Sequence, residues 1–136
     1  MISMKEILQG KVNLEDLPQE HQDNLNNLLE KLNKLRQAYG KAMKVTSGYR
    51  SLEDHLRIYA DKGIRDLSQI PMKSKHLSGQ ACDFSDPDNK LKDFINDCTE
   101  EQLEEFGLYF EDFKHTSNWV HCQSVPPKSG RRFFIP

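Results

Sequence analysis

Two histidines and one aspartate place the tightest constraint on how this chain folds. His76 and Asp83 are separated by six residues, and His121 lies far downstream. Gly79 falls inside the short gap and permits a sharp turn, so a loop histidine and a strand carboxylate can reach one point. His121 would then close the cluster from a neighbouring strand, by long-range pairing. Two imidazoles and a carboxylate are borderline-to-hard donors. Three protein ligands leave one position of a tetrahedral ion open, which is the arrangement of a catalytic zinc site. The same donors also accept manganese, cobalt or nickel. The chemistry implied is a metal-activated water attacking a carbonyl.

The rest of the chain reads as a mixture of helices and strands. Leu25, Leu28, Leu29, Leu32, Leu35 and Ala38 recur at helical spacing and predict a helix over 18–38, with Pro18 in its first turn and Gly40 at its stop. Residues 45–49 read as a short strand, and Ser51 opens a helix that runs to about Asp61. A loop follows over 65–75. Residues 80–84 read as a strand, and Asp86 with Pro87 predicts the cap of the next helix, whose apolar face is Leu91, Phe94, Ile95 and Cys98. Thr99 and Gln102 form a capping box for a short helix ending at Gly107. Residues 108–110 and 119–123 read as strands around a turn. There is no regular β-α-β alternation. The expected class is therefore α+β, with a small, mostly antiparallel sheet flanked by helices, in a single domain over 1–136 whose first 39 residues form a helical segment packed on it.

Composition excludes several functions. The 136 residues carry a net charge of −2, without the basic excess of a nucleic-acid-binding protein. No apolar run is long enough to span a bilayer, so no membrane insertion is expected. The first residues lack the apolar stretch of a secretory signal, so the expected place of synthesis is the cytoplasm. The three cysteines, Cys82, Cys98 and Cys122, have no C-x-x-C spacing and read as small buried hydrophobes. Strand alternation turns Cys82 and Cys122 away from their neighbours Asp83 and His121.

Three blocks carry a resemblance: Thr46-Ser47-Gly48-Tyr49-Arg50-Ser51, then His76 to Asp83, then Trp119-Val120-His121. In order and spacing they resemble the zinc D-alanyl-D-alanine carboxypeptidases. That family includes phage L-alanyl-D-glutamate endopeptidases and shares its fold with the hedgehog signalling domain. The resemblance covers about residues 40–136, and the ending resembles small phage-encoded members. It implies one Zn2+ held by His76, Asp83 and His121, and a peptidoglycan peptide as substrate. It implies that Arg50 faces that substrate, with a salt bridge to Asp54 as its alternative role, and that Ser74 lies near the site. Trp119, on the same strand face as His121, is expected either as a wall of the substrate cleft or as core. A phage product of this kind would reach the wall through a holin or a virion.

The family glutamate three residues before the last zinc histidine is absent. Asn118 stands there, and an amide cannot accept a proton. His115, Glu111 and Asp112 are the candidate proton shuttles in its place. Hydrolysis of a stem-peptide amide is the first expectation. A catalytically weak zinc-binding wall-peptide or virion module is the second, and a hedgehog-like protein-binding domain the third. His55 and His21 are expected at the surface, and residues 128–132 as a solvated tail.

Overall fold

The computed structural model describes residues 1–136. A short helix, α1 (Met4–Leu8), starts from a Ser3 capping box closed by Glu6. The long helix α2 (Gln19–Tyr39) follows. It ends at Gly40, whose φ of 74° allows the left-handed stop. Leu25, Leu28, Leu32 and Leu35 are fully buried along one face of α2. Each contributes roughly 1.5–3 kcal/mol by leaving water, so the stripe read from the sequence is core packing.

The sheet has five strands: β1 (Val45–Ser47), β2 (Ala81–Ser85), β3 (Tyr109–Glu111), β4 (Trp119–Gln123) and β5 (Phe133–Phe134), in the order β1-β2-β4-β3-β5. All neighbours are antiparallel except β3 and β5. Helices α3 (Leu52–Asp61), α4 (Lys90–Asp97) and α5 (Glu100–Phe106) complete an α+β fold. The core joins α1, α2, α4 and α5 to the sheet face bearing Cys82, Phe84, Phe110, Val120 and Cys122. The two cysteines directly oppose each other across β2 and β4 as free, buried thiols.

Several expectations change. Asp86 does cap α4, but from a distance: its carboxylate accepts the Leu91 and Lys92 amides at 3.0 Å each. Asn89, at φ 61°, occupies the cap position itself, and Pro87 lies outside the helix. The 128–132 run is not a free tail. Arg132 pairs with Glu104, donates to the Leu108 carbonyl and lies 4.7 Å from the Tyr109 ring centroid. That anchoring lets Phe133 and Phe134 pair with Phe110 and Glu111 as β5. Lys92 is buried on α4, its ammonium donating to the Thr116 carbonyl and facing the Phe113 ring. No helix is long and apolar enough to cross a membrane.

Candidate metal centre

The sheet register assembles the site. Asp83 on β2 directly opposes His121 on β4. Strand β3 pairs with the other edge of β4, matching Tyr109 to Gln123 and Phe110 to Cys122. One further step along that register sets Glu111 opposite His121. Three adjacent strands thus carry a carboxylate, an imidazole and a second carboxylate in one row, and alternation gives the opposite face to the core. His76 arrives from the loop before β2. Gly79, at φ 77°, makes the turn that brings it there, and a Cβ at this glycine would lie 2.7 Å from Leu25 Cγ.

The donor atoms of His76, Asp83 and His121 all lie within 4.8 Å of one another. His76 Nε2 is 3.2 Å from Asp83 Oδ2, and His121 Nδ1 is 2.8 Å from Asp83 Oδ1. Ligands bound at about 2.0–2.1 Å in a tetrahedron stand about 3.3 Å apart, so these separations are close to those of a common ion.

The outer nitrogens settle the tautomers. His76 Nδ1 is 2.8 Å from the Gly48 carbonyl, which can only accept, so Nδ1 carries the proton. His121 Nε2 is 3.0 Å from Gln123 Oε1. The Gln123 amide is oriented by donating its Nε2–H to the Val125 carbonyl, so Nε2 of His121 is the protonated nitrogen. Both lone pairs therefore face the Asp83 carboxylate. Two lone pairs against an anion repel unless a cation sits between them, so the donor set fits a divalent metal. A proton is the alternative cation. Burial opposes charge on His121, but the hydrogen bond and charge of Asp83 outweigh it and raise its pKa. Burial would likewise raise Asp83, yet the hydrogen bonds and charge that His121 and His76 supply when protonated hold its carboxyl well below the usual carboxylate range.

Of the three proton-shuttle candidates, Glu111 alone reaches the metal cleft. It lines a cavity of about 620 Å3 with His121, Gln123, Tyr59 and the 71–75 segment. Burial, reinforced by the Asp83 charge, raises its pKa against the opposing pull of the nearby histidines. Asp112 turns away to cap the 3-10 turn Phe113–His115, accepting the Lys114 amide at 3.0 Å. His115 is exposed at the end of that turn and lines no wall of the cleft. Asn118 occupies a left-handed position, φ 68°, in the connection to β4. Trp119 pairs with Ser85 two residues along the strand from His121 and is not a cleft wall.

Ser74 lines the cleft, and its hydroxyl accepts the His76 amide at 3.3 Å. Arg50 lines an adjoining pocket that shares residues 72–75 with the cleft as a common wall. It forms no salt bridge to Asp54, which pairs with Arg57 and Lys11. Its Nε donates to Ser47 Oγ at 3.1 Å, and Nη1 is 3.4 Å from His55 Nδ1.

Four contributors are not among the site residues expected from the sequence. His55 is fully buried, not at the surface, with Nε2 3.0 Å from the Pro71 carbonyl. It thus ties the cleft loop to Arg50. His21 is half-buried, 3.0 Å from the Tyr49 hydroxyl. Phe134 sets its ring edge-on to His121, with centroids 6.0 Å apart. Gln123 had an available signal, since it lies two residues beyond His121 and shares its strand face. The other three depend on partners distant in sequence.

Comparison with curated proteins and with solved structures finds no match. A family model described as D-alanyl-D-alanine carboxypeptidase matches residues 18–120, which takes in α2 and the first two expected blocks and stops one residue before His121. With that match over well more than half of the chain, and with the three-donor centre built on its sheet, the chain belongs to the VanY family of D-alanyl-D-alanine carboxypeptidases.

Proposed function

We propose that this chain is a zinc-dependent peptidase that hydrolyses an amide bond in the stem peptide of bacterial peptidoglycan, encoded by a phage or prophage and delivered to the wall by a holin or virion. Family membership supports carboxypeptidase-like activity on peptidoglycan. The observation that carries the finer reading is the pair of fixed tautomers, which turns two imidazole lone pairs and one carboxylate toward a single point beside Glu111.

In this reading His76, Asp83 and His121 hold the ion. When bound, zinc supplies a Lewis acid for the scissile carbonyl and lowers the pKa of water toward about 7. Glu111 is the general base. A carboxylate Oε takes a proton from the attacking water and returns it to the departing amine. Its partly buried position and raised pKa suit both steps. Ser74 holds the His76 backbone, and Gln123 holds the His121 ring. Arg50 orients the peptide from the adjoining pocket. The 136 residues act as one unit, because the core runs from Ile2 to Cys122 without a break.

The test is release of new amino groups from purified peptidoglycan by the zinc-loaded chain beside His121→Ala. Release that disappears in the variant and on chelation is the expected result. Tight zinc binding without release from several wall chemotypes would overturn the reading. Asn118 in place of the family glutamate motivates the second one, a zinc-binding wall-peptide or virion module, and that outcome would favour it.

A further inference from the structure

We propose that Cys82 and Cys122 are a modification site, joining in a cross-strand disulfide when the chain folds in the presence of an oxidant. The inference stands on the sheet register and is independent of the peptidase reading. The two residues are directly opposed partners on β2 and β4. The same register, continued past both ends of the strands, pairs Gln80 with Ser124 and Asp86 with Asn118. At the first pair the Ser124 amide donates to the Gln80 carbonyl, and at the second the Asp86 amide donates to the Asn118 carbonyl. Hydrogen-bonded partners alternate with unbonded ones along an antiparallel ladder. Counted in twos from either end, Cys82 and Cys122 fall at a hydrogen-bonded position, where Cα atoms stand about 5.5 Å apart. That separation lies within the roughly 4.4–6.8 Å that a disulfide spans, close to its commonest value. Asp83 and His121 fall at the next, unbonded position, where facing side chains come closer.

Both thiols are fully buried on the core face, behind the metal row. In the reduced chain the Cys82 Sγ lies 4.0 Å from the Asp83 carbonyl oxygen. Reaching Cys122 therefore takes a turn of that side chain about its Cα–Cβ bond. A packed core resists the turn and shields both sulfurs, whereas a folding chain does neither. The bond thus forms while the sheet assembles. The oxidant is an external disulfide, RSSR, carried by a protein or a small molecule. One cysteine attacks it, forms a mixed disulfide and releases RSH. The other attacks the sulfur of the first cysteine and releases a second RSH. Two cysteine thiols are oxidised, RSSR is reduced, and the two cysteine protons leave on the two RSH. In a reducing cytosol both residues stay as thiols. Formed under oxidising conditions, the link closes a loop over 82–122 and ties β2 to β4 one residue away from Asp83 and His121. The third cysteine, Cys98, lies half-buried at the end of α4, outside the sheet.

The experiment refolds the full-length chain from denaturant with oxidised glutathione or with dithiothreitol, and maps its disulfides by mass spectrometry. Trypsin separates the three cysteines. Cleavage after Lys75, Lys90, Lys92, Lys114 and Lys128 places Cys82 in 76–90, Cys98 in 93–114 and Cys122 in 115–128. The expected product is a monomer in which 76–90 is linked to 115–128, in clear excess over either pair that includes Cys98. Freed of glutathione, this oxidised chain should melt about 5–15 °C above the reduced one, the scale of an unstrained link closing a loop of this length. Dithiothreitol should then erase the difference. Free thiols or glutathione left on Cys82 and Cys122, a link found only between two chains, or pairing with Cys98 in equal amount would each overturn the proposal. So would an oxidised chain that melts no higher than the reduced one. The mapping uses the unsubstituted chain, so the outcome does not depend on a variant that folds.

Discussion

At the scale of single residues, the donors of His76, Asp83 and His121 converge on a point that either a proton or a metal could fill. In the metal-free chain the raised pKa of His121 stabilises the fold fully below its ordinary 6.5, and this contribution is lost as pH rises through the raised value. The lowered pKa of Asp83 acts in the other direction. Its contribution is present above the ordinary 3.8 and is lost only in strong acid. The expected outcome is a chelated protein whose Tm peaks between these limits and declines above about pH 6.5, while zinc removes that decline. Thermal scans across pH with zinc and with chelator check this. Glu111 is expected to set the acid limb of the rate profile, since a base must be ionised and activity falls as pH drops through its raised pKa. Glu111→Gln should lower kcat by about 10²–10⁴-fold and abolish that limb, as pH-dependent kinetics would record. The convergence of His76, Asp83 and His121 was legible in the sequence because their chemistry and spacing are unusual. Glu111 could not be separated from Asp112 and His115, because only the cap that occupies Asp112 and the exposure of His115 distinguish them.

At the scale of elements, the contact of α1 with the chain after β1 governs the orientation of His76. The Tyr49 amide donates to the Ile7 carbonyl at 3.0 Å, and a Cβ on Gly48 would lie only 2.0 Å from that oxygen. Two backbones meet here with no room for a side chain, and the Gly48 carbonyl is the acceptor that orients His76. Gly48→Ala must push the two backbones apart. It is expected to cost about 1–3 kcal/mol of stability, and to weaken zinc binding about 10–100-fold through the misaligned ring. Denaturant unfolding and competitive zinc titration measure the two effects. Local signals located most elements well: β4, the Thr99 capping box and the α2 stripe reflect periodicity and caps within a few residues. The burial of His55, the remote Asp86 cap and the docking of Arg132 do not, because each depends on a partner brought close only by the fold.

At the scale of the whole molecule, the family-matched stretch is shorter than the packed core. Residues 1–17 lie outside it, yet Ile2, Ile7 and Leu8 are buried at 4%, 0% and 5% exposure. Removing them forfeits roughly 5–9 kcal/mol of burial, comparable to the entire stability of a small domain. Deletion of residues 1–17 is therefore expected to abolish cooperative unfolding and high-affinity zinc binding together, which circular dichroism and zinc titration would reveal.

The row of Asp83, His121 and Glu111 across three strands has a last consequence. The gaps between these groups are set by the hydrogen-bonded ladder itself, at about 4.8 Å per strand. The sheet works as a ruler, and an ion gripped across it should resist the opening of the ladder. Zinc is expected to slow amide hydrogen exchange in 81–85 and 119–123 far more than in α4 or α5, so that backbone exchange alone reports occupancy of the centre.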